Sequence, residues 1–76
     1  MLTEKDYSII KDSLANVMDW DSENLEKDFV SLITTEIPNL PQAKVVKMFE
    51  QFISLHPIQR DAIDFDFQAF IQTCFA

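Results

Sequence analysis

Apolar residues recur every three or four positions over most of the chain, which is the spacing that places them on one face of a helix. This periodicity predicts five helices, at about residues 4–18, 22–36, 41–55, 57–63 and 65–75. The connections between them are short, and short connections favour antiparallel neighbours. We therefore predict an all-α fold, a small bundle of four to five short helices that forms a single domain.

Two helix starts carry local signals. Thr3 and Asp6 have the spacing of a capping box, which predicts that the first helix begins directly after Thr3. A second start is predicted at Asp21, because Trp20 and Leu25 occupy the two positions of a hydrophobic staple around it. The expected core positions of the first three helices are Tyr7, Ile10, Leu14, Val17 and Met18; Leu25, Phe29, Leu32, Ile33 and Ile37; and Val45, Met48, Phe49, Phe52 and Ile53.

The last part of the chain has a mixed pattern. Residues 63–68 alternate apolar and polar side chains, the period of a half-buried strand, but a lone strand would have no partner in a helical chain. We interpret the segment as a junction, with a final helix capped by Asp64 or Asp66. If Asp66 is the cap, Phe65 and Phe70 form a staple. Phe67, Phe70, Ile71 and Cys74 would then face the core, while Phe65 and Phe75 are expected to lie outside it.

The residue types exclude several kinds of chemistry. The chain has no glycine, which phosphate-binding loops require, and its one cysteine and one histidine cannot complete a four-ligand zinc site. His56 is a candidate general base, but its place beside Pro57 favours a cap or a solvent-facing residue, and Cys74 is interpreted as a small buried thiol. We therefore expect a protein that is not an enzyme and has no cofactor or metal.

The formal net charge of −7 excludes further functions. An acidic chain is repelled by nucleic-acid phosphates and by anionic membrane surfaces, so we expect neither nucleic-acid nor membrane binding. No apolar run reaches the roughly 18–20 residues that span a bilayer, and we expect no signal peptide, because residues 1–4 lack a basic region followed by an apolar stretch. A lone cysteine fits a reducing compartment, so we predict a cytoplasmic protein.

The most acidic part of the chain is residues 19–28, with five acidic side chains against Lys27. Asp19, Asp21 and Glu23 match the first three ligand positions of a calcium loop. Val30 occupies the twelfth position, however, where such a loop requires a bidentate glutamate. An acidic helix start is therefore favoured over a calcium site, because the helix dipole stabilises negative charge there.

These patterns predict a small, acidic, non-enzymatic interaction module. It would be a regulator or inhibitor of the antitoxin, immunity or anti-defence type that binds another protein through an acidic and partly apolar surface. In a sharper version the target is basic, and the protein occupies its nucleic-acid site. The basis is charge attraction to a basic partner, together with large apolar side chains that a core this small cannot all bury. The candidate contact residues are Asp19, Trp20, Asp21, Glu23, Glu26, Asp28, Phe65 and Phe75.

Two alternatives remain. The first is a structural homodimer or larger assembly whose interface uses Trp20, Phe65 and Phe75. The second comes from Asp12-Ser13-Leu14, which resembles the serine motif of acyl carrier proteins, also small, acidic and helical. That resemblance implies a phosphopantetheine arm on Ser13, but it covers three residues and lacks the glycine that precedes the motif in that family.

Overall fold

The computed structural model describes residues 2–55, 57–60 and 65–75. The helices are α1 (Glu4–Asn16), α2 (Leu25–Glu36), α3 (Gln42–Ser54), α4 (Pro57–Arg60) and α5 (Phe67–Phe75), with a 3₁₀ turn at Val17–Asp19. The described ranges contain no strand, so the predicted all-α class is confirmed. The predictions for His56, for a cap at Asp64 and for the end of the fourth helix lie outside the described residues.

The capping box at the start of α1 is confirmed. The Asp6 N–H donates to Thr3 Oγ1 over 3.1 Å, and the Thr3 N–H donates to Asp6 Oδ2 over 3.0 Å. The predicted end of this helix at residue 18 is wrong, because α-helical geometry stops at Asn16 and a 3₁₀ turn follows. Such a turn tightens a helix end and supplies donors to carbonyl groups that have lost their helical partner.

The predicted start of α2 at Asp21 is also wrong. Asn24 is the N-cap, and its Oδ1 accepts a hydrogen bond of 3.1 Å from the Lys27 N–H. Trp20 and Leu25 therefore do not flank the cap, and the staple predicted around Asp21 does not form. Asn24 and Asp21 are both good cap residues, and the structure uses the later one, with Trp20 packed on the core before it.

The connector between α2 and α3 follows the rules for residues around proline. Ile37 ends α2 with φ −131° and ψ 77°, which is outside the helical region. This is expected, because a following proline disfavours helical dihedral angles in the residue before it. Pro41 is the N-cap of α3, so the helix begins at Gln42, one residue later than predicted.

At the last helix Asp66 is the cap, since its Oδ1 accepts a hydrogen bond of 3.0 Å from the Ala69 N–H. The Phe65 and Phe70 ring centroids lie 5.9 Å apart, which confirms the predicted staple. The helix begins at Phe67 rather than at residue 65.

The core lies where the four longer helices meet. α2 packs against α1 and α3, and α5 packs against α1 and α3, so each of these helices contacts two others. Three predicted core residues are instead exposed, because they lie at the edges of their stripes: Met18 by 53%, Leu32 by 36% and Ile53 by 42%. The buried apolar residues are Ile10, Leu14, Val17, Phe29, Val30, Ile33, Ile37, Val45, Met48, Phe49, Phe52 and Ile71.

The overall dimensions match those of a folded chain. The Cα radius of gyration is 11.6 Å, close to the roughly 11.4 Å expected for a compact domain of this length. None of the described helices is long and apolar enough to cross a membrane.

Candidate interaction surface

The acidic segment, residues 19–28, joins the end of α1 to the start of α2. Asp19 closes the 3₁₀ turn, while Asp21 and Glu23 lie in the connection. Glu26 and Asp28 lie in the first turn of α2. All five side chains are exposed, so the predicted acidic contact residues face solvent, while Trp20, Ser22 and Leu25 between them are half-buried.

Trp20 attaches this segment to the core. Its ring centroid lies 6.5 Å from that of the buried Phe29, at an interplanar angle of 36°. Phe29 in turn lies 5.2 Å from Phe49 of α3. Tilted aromatic pairs at such distances are attractive beyond the area they bury. Trp20, which the sequence predicts as a contact residue, is half-buried, and much of its ring surface is already used within the chain.

A second set of contacts closes the connection in front of α2. Ser22 donates its hydroxyl hydrogen to the carboxylate of Asp28, and the Asn24 N–H donates to the Ser22 hydroxyl oxygen over 3.2 Å. Asn24 then caps the helix. The Asp28 carboxylate therefore has a partner inside its own segment and is less available to another protein than its neighbours.

The other four carboxylates have no such partner. Within the described part of the chain, the carboxylates of Asp19, Asp21, Glu23 and Glu26 make no hydrogen bond and no ion pair. Lys27 is the one basic residue among them, which leaves the acidic segment with a formal charge of −4 from five acidic residues and one lysine. This is a concentrated, solvated negative surface on a segment whose backbone is held at both ends.

The geometry does not assemble a metal site here. Over residues 2–55, 57–60 and 65–75, no three histidine, cysteine, aspartate or glutamate side chains are grouped so that they could hold a metal ion. The spacing of Asp19, Asp21 and Glu23 follows a calcium loop in sequence without bringing the carboxylates to a common point.

The two phenylalanines predicted as contact residues lie elsewhere, and the expectation that they lie outside the core is wrong, because both pack against it. Phe65 is half-buried, 4.7 Å from Phe67 and 6.0 Å from Phe52 between ring centroids, and it lines a groove of about 420 Å³ between α1 and α5. Phe75, at the other end of α5, is half-buried in a second groove. Both grooves involve the first part of α1, whereas the acidic segment follows its end, so the structure does not join these residues into one surface.

Ser13 and Cys74 are both used within the fold. Ser13 is buried within α1, and its hydroxyl donates to the Ile9 carbonyl oxygen over 2.9 Å, so it is not presented to a modifying enzyme. The Cys74 thiol lies 3.3 Å from Gln51 Oε1 and is half-buried rather than fully buried. Burial raises the pKa of this thiol above its ordinary value, and the nearby Lys47 charge opposes that shift.

Sequence reasoning missed the second groove, which we call the end groove. It has a volume of about 460 Å³ and lies where the start of α1, the connector before α3 and the end of α5 meet. Asp6 and Lys44 line it together with Phe75, although they are far apart in sequence. No local pattern could have found this site, because it depends on how three helices pack.

Comparison with known proteins gives no relative. No protein-family model matches the chain, no curated protein sequence is similar to it, and no solved structure matches its fold.

Proposed function

We propose that the protein is a non-enzymatic interaction module that binds a basic protein partner through the acidic segment. It would act as a regulator or inhibitor of the antitoxin, immunity or anti-defence type. The observation that carries the proposal is the set of four exposed carboxylates without internal partners, on a segment attached to the core by Trp20.

The backbone of the segment supports this role. The acidic segment begins in the 3₁₀ turn and ends in the first turn of α2, which Asn24 caps. Between them, the hydrogen bond from Ser22 to Asp28 orders the connection. A surface ordered before binding loses less conformational entropy when a partner docks. Clustered charge of one sign also accelerates encounter with a partner of the opposite sign.

The helix dipole is the competing explanation for these acids. It accounts for Glu26 and Asp28, which lie in the first turn of α2, where negative charge is stabilised by about 0.3–1 kcal/mol. Asp19 and Asp21 precede the Asn24 cap by several residues, and the effect falls off within one turn. Because α2 begins after Asn24 and not after Asp21, the helix dipole does not explain the acidic residues at the start of the segment.

A sharper version of the proposal concerns the target. A basic surface that binds several carboxylates can also bind nucleic-acid phosphates, because lysine and arginine side chains bind both groups. In this version the protein blocks the nucleic-acid site of its partner. Nucleic acid added to the complex would then displace the protein from its target.

The test compares two charge-neutralised variants that have the same net charge. In the first, the four free carboxylates of the acidic segment are removed as Asp19→Asn, Asp21→Asn, Glu23→Gln and Glu26→Gln. In the matched control, four exposed carboxylates outside the segment are removed as Glu4→Gln, Asp12→Asn, Glu36→Gln and Glu50→Gln. Asp28 is left intact in both variants, because its bond to Ser22 supports the fold of the connection.

Each tagged protein is used to capture partners from the lysate of its host at low and at high salt. We expect a stoichiometric partner with the wild type and with the control variant at low salt, lost at high salt because exposed charge pairs are screened. The segment variant should capture none of it, while melting at the temperature of the control. Equal capture by the segment variant, or equal loss by both variants, would contradict the proposal.

A further inference from the structure

The end groove differs in character from the acidic segment. Six apolar residues line it, of which Ile37 is buried and the others are at least partly exposed: Leu2, Tyr7, Ile37, Leu40, Pro41 and Phe75. Asp6 and Lys44 supply one charge of each sign. Contiguous apolar surface with polar groups at its edge is a common feature of protein interfaces.

The charges of this groove distinguish it within an acidic molecule. The chain as a whole carries −7, and the acidic segment carries −4. In the groove the charges of Asp6 and Lys44 cancel, so this is a face on which two identical acidic chains can meet without bringing their main negative surfaces together. Lys44 is exposed, and it forms no ion pair with Asp6 within the described residues.

We propose that the end groove is the interface of a symmetric homodimer, in which the same face of a second copy covers it. In a two-fold interface, a contact from residue i of one chain to residue j of the other occurs twice. Lys44 of each chain then faces Asp6 of its partner chain, which forms two equivalent ion pairs around the apolar centre. Asp6 can accept this contact through Oδ1, because Oδ2 is the oxygen bonded to the Thr3 N–H.

The size of the chain supports this arrangement. A domain of this length buries only roughly 60% of the surface that its unfolded chain exposes, so added burial is a common source of stability. A standard interface buries about 800 Å² per partner. That is roughly a seventh of the 5293 Å² of accessible surface on this chain, so a two-fold contact of this size extends beyond the groove onto the surface around it.

The proposed interface leaves the acidic segment free. α1 has 13 residues and α2 has 12, so each is about 18–20 Å long. The acidic segment lies at the end of α1 and the start of α2, whereas the end groove lies at the start of α1 and beyond the end of α2. The two surfaces are therefore at opposite ends of both helices, and a dimer would carry its two acidic segments on its outer ends.

The test is the solution mass of the purified protein by sedimentation equilibrium, from micromolar to near-millimolar concentration. We expect a reversible monomer–dimer equilibrium for the wild type. Lys44→Glu places like charges across the interface and should raise the dissociation constant by at least about tenfold. Lys47→Glu is the matched control, because it makes the same charge change at an exposed position of α3 outside the groove, and it should leave the dimer near wild type.

Three results would overturn the proposal. One is a wild-type protein that remains monomeric at every concentration. Another is a dimer that Lys44→Glu does not weaken, and the third is equal weakening by Lys44→Glu and Lys47→Glu. Both lysines are exposed, so neither variant should unfold the chain, and a thermal melt of each checks this. The outcome does not depend on the role proposed for the acidic segment.

Discussion

The indole ring of Trp20 lies against the phenyl ring of Phe29, with 6.5 Å between the ring centroids. This pair connects the most charged stretch of the chain to a fully buried side chain. The chain has one tryptophan, so its fluorescence reports on the acidic segment alone. The sequence predicts Trp20 and the acidic residues together as contact residues, but the structure gives them different roles. Trp20 holds the segment against the core, while the carboxylates around it face solvent.

Replacing this ring should loosen the segment and lower the stability of the fold. We expect Trp20→Ala to reduce the free energy of unfolding by about 1–3 kcal/mol, less than for a fully buried tryptophan because Trp20 is half-buried. Urea denaturation followed by circular dichroism measures the change. Met18→Ala is the control, because Met18 is 53% exposed nearby and its loss should change stability by no more than about 0.5 kcal/mol.

The start of α2 can be tested at two residues. Asn24→Ala removes the hydrogen bond to the Lys27 N–H and should lower the free energy of unfolding by about 0.5–2 kcal/mol. Asp21→Ala removes an exposed side chain that caps no helix, and its effect should stay within about 0.5 kcal/mol. Thermal melts of both variants decide the matter, and a larger loss with Asp21→Ala would place the cap where the local pattern predicts it.

Adjacent residues of α2 should differ strongly in their contribution to the core. Ile33 is fully buried, so Ile33→Ala leaves a cavity and should cost about 2–5 kcal/mol. Leu32 is 36% exposed, and its truncation should cost clearly less, on the order of 1 kcal/mol. Urea titration of the two variants makes the comparison, and equal losses would show that the exposed edge of α2 is covered in solution.

Alkylation of the Cys74 thiol should require higher pH in the folded protein than in the unfolded chain. Burial raises its pKa, so the unfolded chain ionises at lower pH than the folded one. The stability linked to this group is therefore fully present below the unfolded pKa, and is lost as pH rises through the raised folded pKa. Alkylation by iodoacetamide, which needs the thiolate, should reach half its maximal rate at higher pH in the folded protein than in urea.

Lys47 provides the control for the thiol measurement. Its positive charge lowers the pKa of Cys74 and so opposes the effect of burial. Lys47→Gln should move the pH profile of alkylation further upward, while the profile in urea stays unchanged. If the profiles of the folded and unfolded wild-type chains coincide, burial does not control the thiol.

The sequence predicts best where one short stretch of chain decides the structure. The capping box of Thr3 and Asp6 is such a case, because both of its hydrogen bonds join residues three apart. The staple of Phe65 and Phe70 is another, since Asp66 caps the helix between them. In each case the helix start needs no information from the rest of the fold.

Prediction fails where distant packing chooses between local options. Asp21 and Asn24 are both good caps, and the contact of Trp20 with Phe29 accompanies the later start. Periodicity identifies the buried face of each helix but not its width, so Leu32 falls outside the core. The end groove could not be predicted for the same reason. Helix packing brings Asp6 and Lys44 into one groove, and no sequence spacing indicates this.

The contact between α1 and α5 brings the two ends of the described chain together, since Leu2 and Phe75 line the same groove. Among the helix pairs in contact it spans the most sequence, so forming it carries the largest loop-closure entropy. α2 and α3, joined by a short connector, can pair first. We therefore expect the docking of α5 onto α1 to be the late step in folding, and a circularly permuted chain that links the two ends would make that step local.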